Sequence, residues 1–91
     1  MRQSQVVAIV QDTLRSDGVA TTRGLVGQVT ETFLAAISQV LRGGNTVTLR
    51  GFGTFYVHRY EGRQGLKPHK PRWQPKFRAG RTFKATVNSD R

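Results

Sequence analysis

The sequence predicts an α+β fold, with two helices in its first half, a β ribbon in its second half and a short terminal helix. Apolar residues recur at helical spacing before Gly43, and alternation of apolar and polar residues begins after Asn45. The length of 91 residues suits one domain, predicted over 1–91. We divide it into a helical part (1–44), a β part (45–80) and a C-terminal helix (81–91).

The first half is predicted to form two helices joined by a turn. Ser4 is expected to cap a helix that begins at Gln5 and ends near Arg15, and Thr22 to cap a longer helix that ends near Leu41. Gly43 and Gly44 then terminate the second helix. The apolar stripe of this helix is wider than one short partner helix can cover, which points to a second subunit. Its members are Leu25, Val26, Val29, Phe33, Leu34, Ala36, Ile37, Val40 and Leu41.

The β part begins with a strand over Thr46 to Arg50 and a turn at 51–53, whose glycines can take positive φ. A second strand over Thr54 to Tyr60 follows, with Phe55 and Val57 on one face and Tyr56 and His58 on the other. A helix from Arg81 to about Val87 closes the chain, with Phe83 and Val87 on its buried side.

Positive charge is concentrated in the second half of the chain. Residues 1–55 carry a net charge of +2, whereas residues 56–91 carry ten basic and two acidic residues, a net of +8. A basic half joined to a nearly neutral half is typical of a protein that binds a polyanion. The absence of cysteine excludes disulfides, thiolate catalysis and cysteine-ligated metals. No apolar run is long enough for a helix that spans a membrane.

Enzymatic and metal-binding functions find no support in the motifs. The Gly51-Phe52-Gly53 triplet precedes a strand and lacks the third glycine of a dinucleotide-binding turn. His58 and His69 lack partner ligands, and no carboxylate pair or nucleophile with a base stands out. We therefore predict a non-enzymatic protein without cofactor, metal ion or small-molecule substrate.

The basic stretch from Gly51 to Arg81 is predicted to form a β ribbon that lies along nucleic acid. Phe52, Phe55 and Phe77 are expected to anchor the base of this ribbon in the core. Its prolines either protect strand edges or insert as apolar wedges into a base step. Trp73 either stacks on a base or sugar or packs against protein, and Tyr56 and Tyr60 are expected to pack. The predicted phosphate contacts come from basic side chains, namely Arg59, Arg63, Lys67, Lys70, Arg72, Lys76, Arg78, Arg81 and Lys84.

Three segments make the chain resemble the bacterial histone-like DNA-binding proteins, HU and IHF. The segment 47–55, VTLRGFGTF, is similar to the family's V-x-L-x-GFGTF pattern. FRAG at 77–80 with KATVN at 84–88, and TFLAAI at 32–37, also resemble family segments. The resemblance as a whole extends over essentially the whole chain.

This resemblance implies an HU/IHF-like intertwined dimer, with a helical body for dimerisation, a β saddle and two projecting β-ribbon arms (here about 58–75). Phe52, Phe55 and Phe77 match the aromatic dimer core, to which we add Phe33 and Ile37 from helix two. Pro68 matches the arm-tip proline that the family inserts between base pairs from the minor groove. The partners implied are double-stranded DNA and a second subunit, identical or related.

The arm departs from the family pattern at its tip. Gly65-Leu66-Lys67-Pro68 replaces a motif close to G-R-N-P, and only eight residues separate Pro68 from Phe77, which is a shortened returning limb. If Phe55 and Phe77 root the arm symmetrically, its apex falls near Leu66. Leu66 then competes with Pro68 as the apolar wedge.

These features favour a cytoplasmic protein, associated with the nucleoid or viral DNA, that bends or compacts duplex DNA largely without sequence specificity. Two alternatives remain at this point. One is an IHF-like or viral protein that prefers deformable sites. The other is a basic regulator that binds protein or RNA and has lost DNA bending.

Overall fold

The computed structural model describes residues 1–60, 63–64, 67–68 and 71–90, with the backbone alone at 63–64 and 67–68. By internal contacts the chain divides into two compact units, Met1–Ala36 and Ile37–Arg91. The elements follow the predicted order of helices, strands and helix. They are α1 (Gln3–Ser16), α2 (Arg23–Arg42), β1 (Val47–Leu49), β2 (Gly53–Tyr60), β3 (Arg63–Gln64), β4 (Lys67–Pro68), β5 (Arg72–Ala79) and α3 (Arg81–Asn88).

Helix α1 begins earlier than predicted, because its cap is not Ser4. Arg2 occupies the cap position in extended conformation, and its backbone N–H donates to Oε1 of Gln5 at 2.7 Å. The helix ends at Ser16, and two residues further on Gly18 adopts a φ of +80°, which lets the backbone N–H of Val19 donate to the carbonyl of Leu14 at 2.8 Å.

Helix α2 has the predicted cap and the predicted stop. The backbone N–H of Leu25 donates to Oγ1 of Thr22 at 3.1 Å, which satisfies one of the free donors at the helix start. At the other end Gly44 adopts φ +83°, and the N–H of Asn45 donates to the carbonyl of Val40 at 3.2 Å. This is the glycine-terminated turn that the Gly43-Gly44 pair predicts.

The first unit buries little of its apolar surface. Val7 of α1 and Val26 of α2 are each 5% exposed, and they form its buried centre. Leu25, Val29 and Phe33 recur every four residues on α2 and are 53%, 59% and 49% exposed. Because residues four apart share a helix face, these three form one continuous exposed apolar stripe.

In the second unit β1, β2 and β5 form an antiparallel sheet in the order β1-β2-β5. The turn between β1 and β2 depends on Gly51, which adopts φ +76°. Gly53 does not use the positive φ that is open to a glycine, because it is already the first residue of β2. Its role is close packing, since a Cβ there would lie 2.6 Å from the Phe77 ring and also meet the Arg78 carbonyl oxygen.

An aromatic cluster joins the sheet to α3. The Phe77 ring lies 4.7 Å from that of Phe55 and 5.3 Å from that of Phe52, centroid to centroid. Phe83 of α3 stacks on Phe52 at 4.4 Å. Val87 was also expected on the buried side of α3, but it is exposed in this chain. Phe52 and Phe77 themselves remain 40% and 38% exposed, so one side of the cluster is open.

The ribbon continues outward as a second pairing of β3 with β4. Arg63 is opposite Pro68, and Gln64 is opposite Lys67. Gln64 and Lys67 form the pair nearest the tip of the arm, with residues 65–66 between them in the chain. This agrees with an apex predicted near Leu66, although Leu66 itself lies outside the described residues.

The architecture confirms the predicted α+β fold class. Over the part of the chain that the structure describes, every helix is too short or too polar to cross a bilayer.

Candidate nucleic-acid interface

The ribbon formed by β2 and β5 has two chemically different faces, and the strand register assigns each residue to one of them. Phe55 is opposite Phe77, so alternate residues outward from this pair point to opposite sides. One side, here called the basic-aromatic face, carries Thr54, Tyr56, His58 and Tyr60 opposite Arg78, Lys76, Gln74 and Arg72. The other, the core face, carries Phe55, Val57 and Arg59 opposite Phe77, Pro75 and Trp73.

On the basic-aromatic face the cations lie over tyrosine rings. The Arg78 guanidinium carbon is 5.4 Å from the Tyr56 ring centroid, and Lys76 Nζ is 5.6 Å from that of Tyr60. Arg78 is paired with Thr54 but reaches Tyr56, the second residue beyond it on β2. Lys76 is paired with Tyr56 but reaches Tyr60, further toward the end of the strand. Such contacts hold a long basic side chain over the sheet while its charge stays available to an anion.

His58 and Tyr60 form an aromatic pair at the outer end of this face. Their ring centroids are 4.5 Å apart, with planes inclined by 73°. His58 is exposed, and Tyr60 is 41% exposed although it has a large apolar ring. Toward the sheet the face continues into β1, where the hydroxyl oxygens of Thr48 and Thr54 lie 3.3 Å apart.

The electrostatic character of the face follows from its composition. Neither β2 nor β5 contains an aspartate or glutamate, and Arg72, Lys76 and Arg78 are distributed along one side of the ribbon. Basic side chains on one face, without acids between them, form a surface suited to a phosphate backbone.

Trp73 lies on the core face, on the opposite side of the ribbon from the basic residues of β5. Arg59 lies directly opposite Trp73, and its guanidinium carbon is 5.8 Å from the indole ring. Trp73, Val57 and Pro75 line a groove of about 590 Å³ together with the last turn of α2, including Leu41. The indole is therefore on the side of the ribbon that meets α2, opposite Tyr56 and Tyr60.

The predicted DNA-binding residues fall into five groups. Arg72, Lys76 and Arg78 share the basic-aromatic face, Arg59 and Trp73 share the core face, and Arg81 and Lys84 are exposed on α3. For Arg63, Lys67 and Pro68 the structure describes backbone pairing alone. Leu66 and Lys70 lie outside the described residues, so their roles stay predictions.

Sequence analysis missed the tyrosines of this face as candidate ligand contacts, because it expected Tyr56 and Tyr60 to pack. The pairing register of β2 with β5 contains the information that would have identified them. Once Phe55 is opposite Phe77, Tyr56 must lie opposite Lys76 and Tyr60 opposite Arg72. Counting along both strands from that one pair would have placed the rings among the cations.

A metal-dependent site is not apparent in the described part of the chain, where no three histidine or acidic side chains come together. The chemistry of the site is that of cations, rings and hydroxyl groups on a sheet.

Comparisons with known proteins agree with this geometry. The profile of the bacterial DNA-binding protein family matches residues 1–88. The HU-beta 2 DNA-binding protein of Neisseria meningitidis is 30% identical, over 97% of this chain and 99% of its own length. HU-beta of Escherichia coli is 31% identical over 78% of this chain and 87% of its own.

Solved structures give the same result for the fold. An HU protein of Anabaena, solved in a cocrystal with DNA, superposes with a TM-score of 0.81 at 25% identity, covering 98% of this chain and 99% of that one. HU from Thermotoga maritima superposes with a TM-score of 0.66 at 23% identity, covering 97% of this chain and all of its own. The matches confirm the resemblance that the GFGTF and FRAG segments predict.

Proposed function

The chain belongs to the family of bacterial DNA-binding proteins that includes the histone-like HU proteins, and from this premise we propose that it is a dimeric architectural protein that binds and bends duplex DNA. Binding is largely independent of sequence, because phosphates rather than base edges are the groups that its cations meet. The role is structural and not enzymatic.

The observation that carries the proposal is the basic-aromatic face. Arg72, Lys76 and Arg78 lie on one side of an antiparallel ribbon, two of them held over tyrosine rings. A ribbon of this kind can follow a DNA groove with its cations directed at the phosphates. Arg81 and Lys84 of α3 add positive charge at the base of the ribbon.

A second copy of the chain is proposed because one copy leaves its apolar surface open. Among the residues that the structure describes, the buried hydrophobic side chains are Val7, Val26 and Leu41. The stripe of Leu25, Val29 and Phe33 and the open side of the phenylalanine cluster are the surfaces that pairing would cover. Small domains that bury so little are commonly stabilised by oligomerisation.

Bending is assigned to the outer part of the arm. In this proposal the arms lie in the minor groove, and an apolar residue near the apex, Pro68 or Leu66, enters a base step and kinks the duplex. The backbone pairing of Gln64 with Lys67 favours Leu66 for this role, because it brackets residues 65–66. Association with the nucleoid or with viral DNA follows from duplex binding.

Salt-dependent binding to unrelated duplexes tests the proposal. We expect similar affinities for several sequences and a fall of roughly 10³-fold or more between about 50 mM and 200 mM salt if six or more phosphates are contacted. Affinity that hardly changes with salt would reject a phosphate-based interface. A strong preference for one defined site over bulk DNA would replace the proposal with the IHF-like alternative.

Cyclisation of short linear duplexes tests bending separately. A protein that kinks DNA through paired arms accelerates closure of fragments shorter than the persistence length of about 150 base pairs. Binding without acceleration would favour the basic regulator that has lost bending.

A further inference from the structure

A groove on the core face has no part in the proposed DNA interface. Its apolar lining comes from Leu41 at the end of α2 and from Val57, Trp73 and Pro75 of the ribbon, and its volume is about 590 Å³. The lining residues that the structure describes all belong to the second compact unit, so the groove is a feature of that unit alone. Volumes of this size, lined mainly by apolar side chains, are typical of sites for small organic ligands.

Trp73 forms an exposed aromatic wall of this groove. Its side chain is 61% exposed, more than any other phenylalanine, tyrosine or tryptophan that the structure describes. Leu41 is buried and Val57 is half-buried. An open indole beside covered aliphatic side chains is an apolar surface suited to a ligand that stacks on the ring.

The surfaces assigned to duplex DNA and to a second copy do not include this groove. Arg72, Lys76 and Arg78 lie on the opposite side of the ribbon. Neither the exposed stripe of α2 nor the phenylalanine cluster contributes a residue to the lining. Pro75 protects the strand edge from further pairing, which disfavours a peptide added as a strand.

The polar side of the groove is cationic. Arg42, in the last turn of α2, lines the groove and is exposed to solvent. The part of the lining that the structure describes contains no aspartate or glutamate. An apolar wall next to a cation without a neighbouring acid favours a ligand that is apolar at one end and anionic at the other.

We propose that this groove binds a small aromatic acid, a flat apolar body with one carboxylate or similar anionic group. The flat body lies against the Trp73 indole and the side chains of Leu41 and Val57, and the anionic group pairs with Arg42. A planar body is favoured because stacked aromatic rings gain energy beyond the burial of their area. The inference goes beyond the proposed function and does not depend on it, since the site is on the other side of the ribbon and can be filled while duplex DNA is bound.

Titration of the full chain with 2-naphthoate, followed by two-dimensional proton–nitrogen NMR, tests the site. Trp73 is the only tryptophan, so its indole N–H gives one signal. We expect this signal and the backbone amides of Gly43 and Gly44, which also line the groove, to shift saturably. A dissociation constant on the order of 1 mM is expected for a probe of this size. The absence of a saturable shift at these residues would overturn the inference.

Arg42→Gln tests the anionic group. The parent protein should bind 2-naphthoate roughly two- to fivefold more tightly than the neutral 2-naphthamide, which is the range of one exposed ion pair. In Arg42→Gln the two probes should bind alike. Arg15→Gln removes the same charge from a residue outside the described lining and should keep the difference. A preference for the acid that survived Arg42→Gln would overturn the assignment.

Trp73→Leu tests the aromatic wall. It keeps an apolar side chain and removes the ring, so both probes should bind roughly three- to tenfold more weakly, as measured at the amides of Gly43 and Gly44. Tyr60→Leu removes a ring from the basic-aromatic face and should leave the affinity for both probes unchanged. Equal affinities in the parent protein and in Trp73→Leu would overturn the inference.

Titrations with saturating duplex and at several protein concentrations identify other occupants of the groove. We expect the same probe affinity with and without DNA. Displacement of the probe by the duplex would overturn the inference and leave the proposed function intact, because the probe would then occupy an anion site of the DNA interface. Affinity that fell as the protein concentration rose would show that a second copy covers the groove, which would also overturn the inference. Failure of the duplex to bind would reject the proposed function alone, since the probe titration does not require DNA.

Discussion

Phe55 lies directly opposite Phe77, and the centroids of their rings are 4.7 Å apart. This pair determines the arrangement of the whole ribbon, because β2 and β5 pair without interruption from Gly53–Ala79 to Tyr60–Arg72. A slip of β2 by one residue would turn its side chains over, moving Tyr56 to the side of the aromatic cluster and Phe55 away from Phe77. The same strand register therefore determines both the packing of the phenylalanine cluster and the side chains that each face of the ribbon presents.

Gly53→Ala is expected to destabilise the protein. The added Cβ would lie 2.6 Å from the Phe77 ring and against the Arg78 carbonyl oxygen, in a place where neither the ring nor the backbone moves freely. We expect a loss on the order of 1–3 kcal/mol in the free energy of unfolding, as for other overpacked sites. Thermal denaturation measures it, at about 4–8 °C per kcal/mol for a chain of this size.

Gly24→Ala is the matched control for that experiment. It adds the same methyl group within α2, where nothing lies within 4 Å of the new atom. Because alanine favours a helix by up to about 1 kcal/mol over glycine, this variant should melt at the same or a higher temperature. If both variants melted alike, close packing of Gly53 against Phe77 would not limit stability.

Arg72→Gln and Lys76→Gln are each expected to flatten the salt dependence of duplex binding. Both cations lie on the basic-aromatic face, and removal of one phosphate contact lowers the slope of log K against log salt by about 1. Arg15→Gln removes the same charge from α1 and serves as the control for net charge. A slope that fell equally in Arg15→Gln would attribute the effect to total charge and not to this face.

The sequence was sufficient to predict the order of elements, the stop of α2 and the family, because these depend on local patterns such as Gly43-Gly44 and GFGTF. It was insufficient where the outcome depends on distant residues. One further miss is local: Ser4 is a good cap by type, yet α1 already begins at Gln3, with Arg2 at the cap position and its backbone N–H donating to Oε1 of Gln5. The part played by Gly53 depends on Phe77, which is 24 residues away in the chain.

Val29→Glu is expected to weaken self-association. Val29 is the centre of the exposed stripe on α2 and is 59% exposed in one copy, so a charge there would be buried without a partner when two copies pair. We expect a shift toward monomer in sedimentation equilibrium and a melting temperature that depends more strongly on protein concentration. Gln28→Glu, which adds the same charge at an exposed polar neighbour, should leave the association nearly unchanged. An unaltered dimer in Val29→Glu would exclude this stripe from the interface.

Trp73 provides a test of the two faces, because it is the only tryptophan in the chain. It lies on the core face opposite Arg59, away from the cations that we assign to phosphates. Acrylamide quenching of its fluorescence should therefore be nearly the same with and without saturating duplex DNA. The double variant Trp73→Phe with Tyr60→Trp moves the reporter to the basic-aromatic face, where bound nucleic acid should shield it from acrylamide. Strong DNA-dependent protection of Trp73 in the parent protein would instead place the indole against the nucleic acid, and the core face would then belong to the interface.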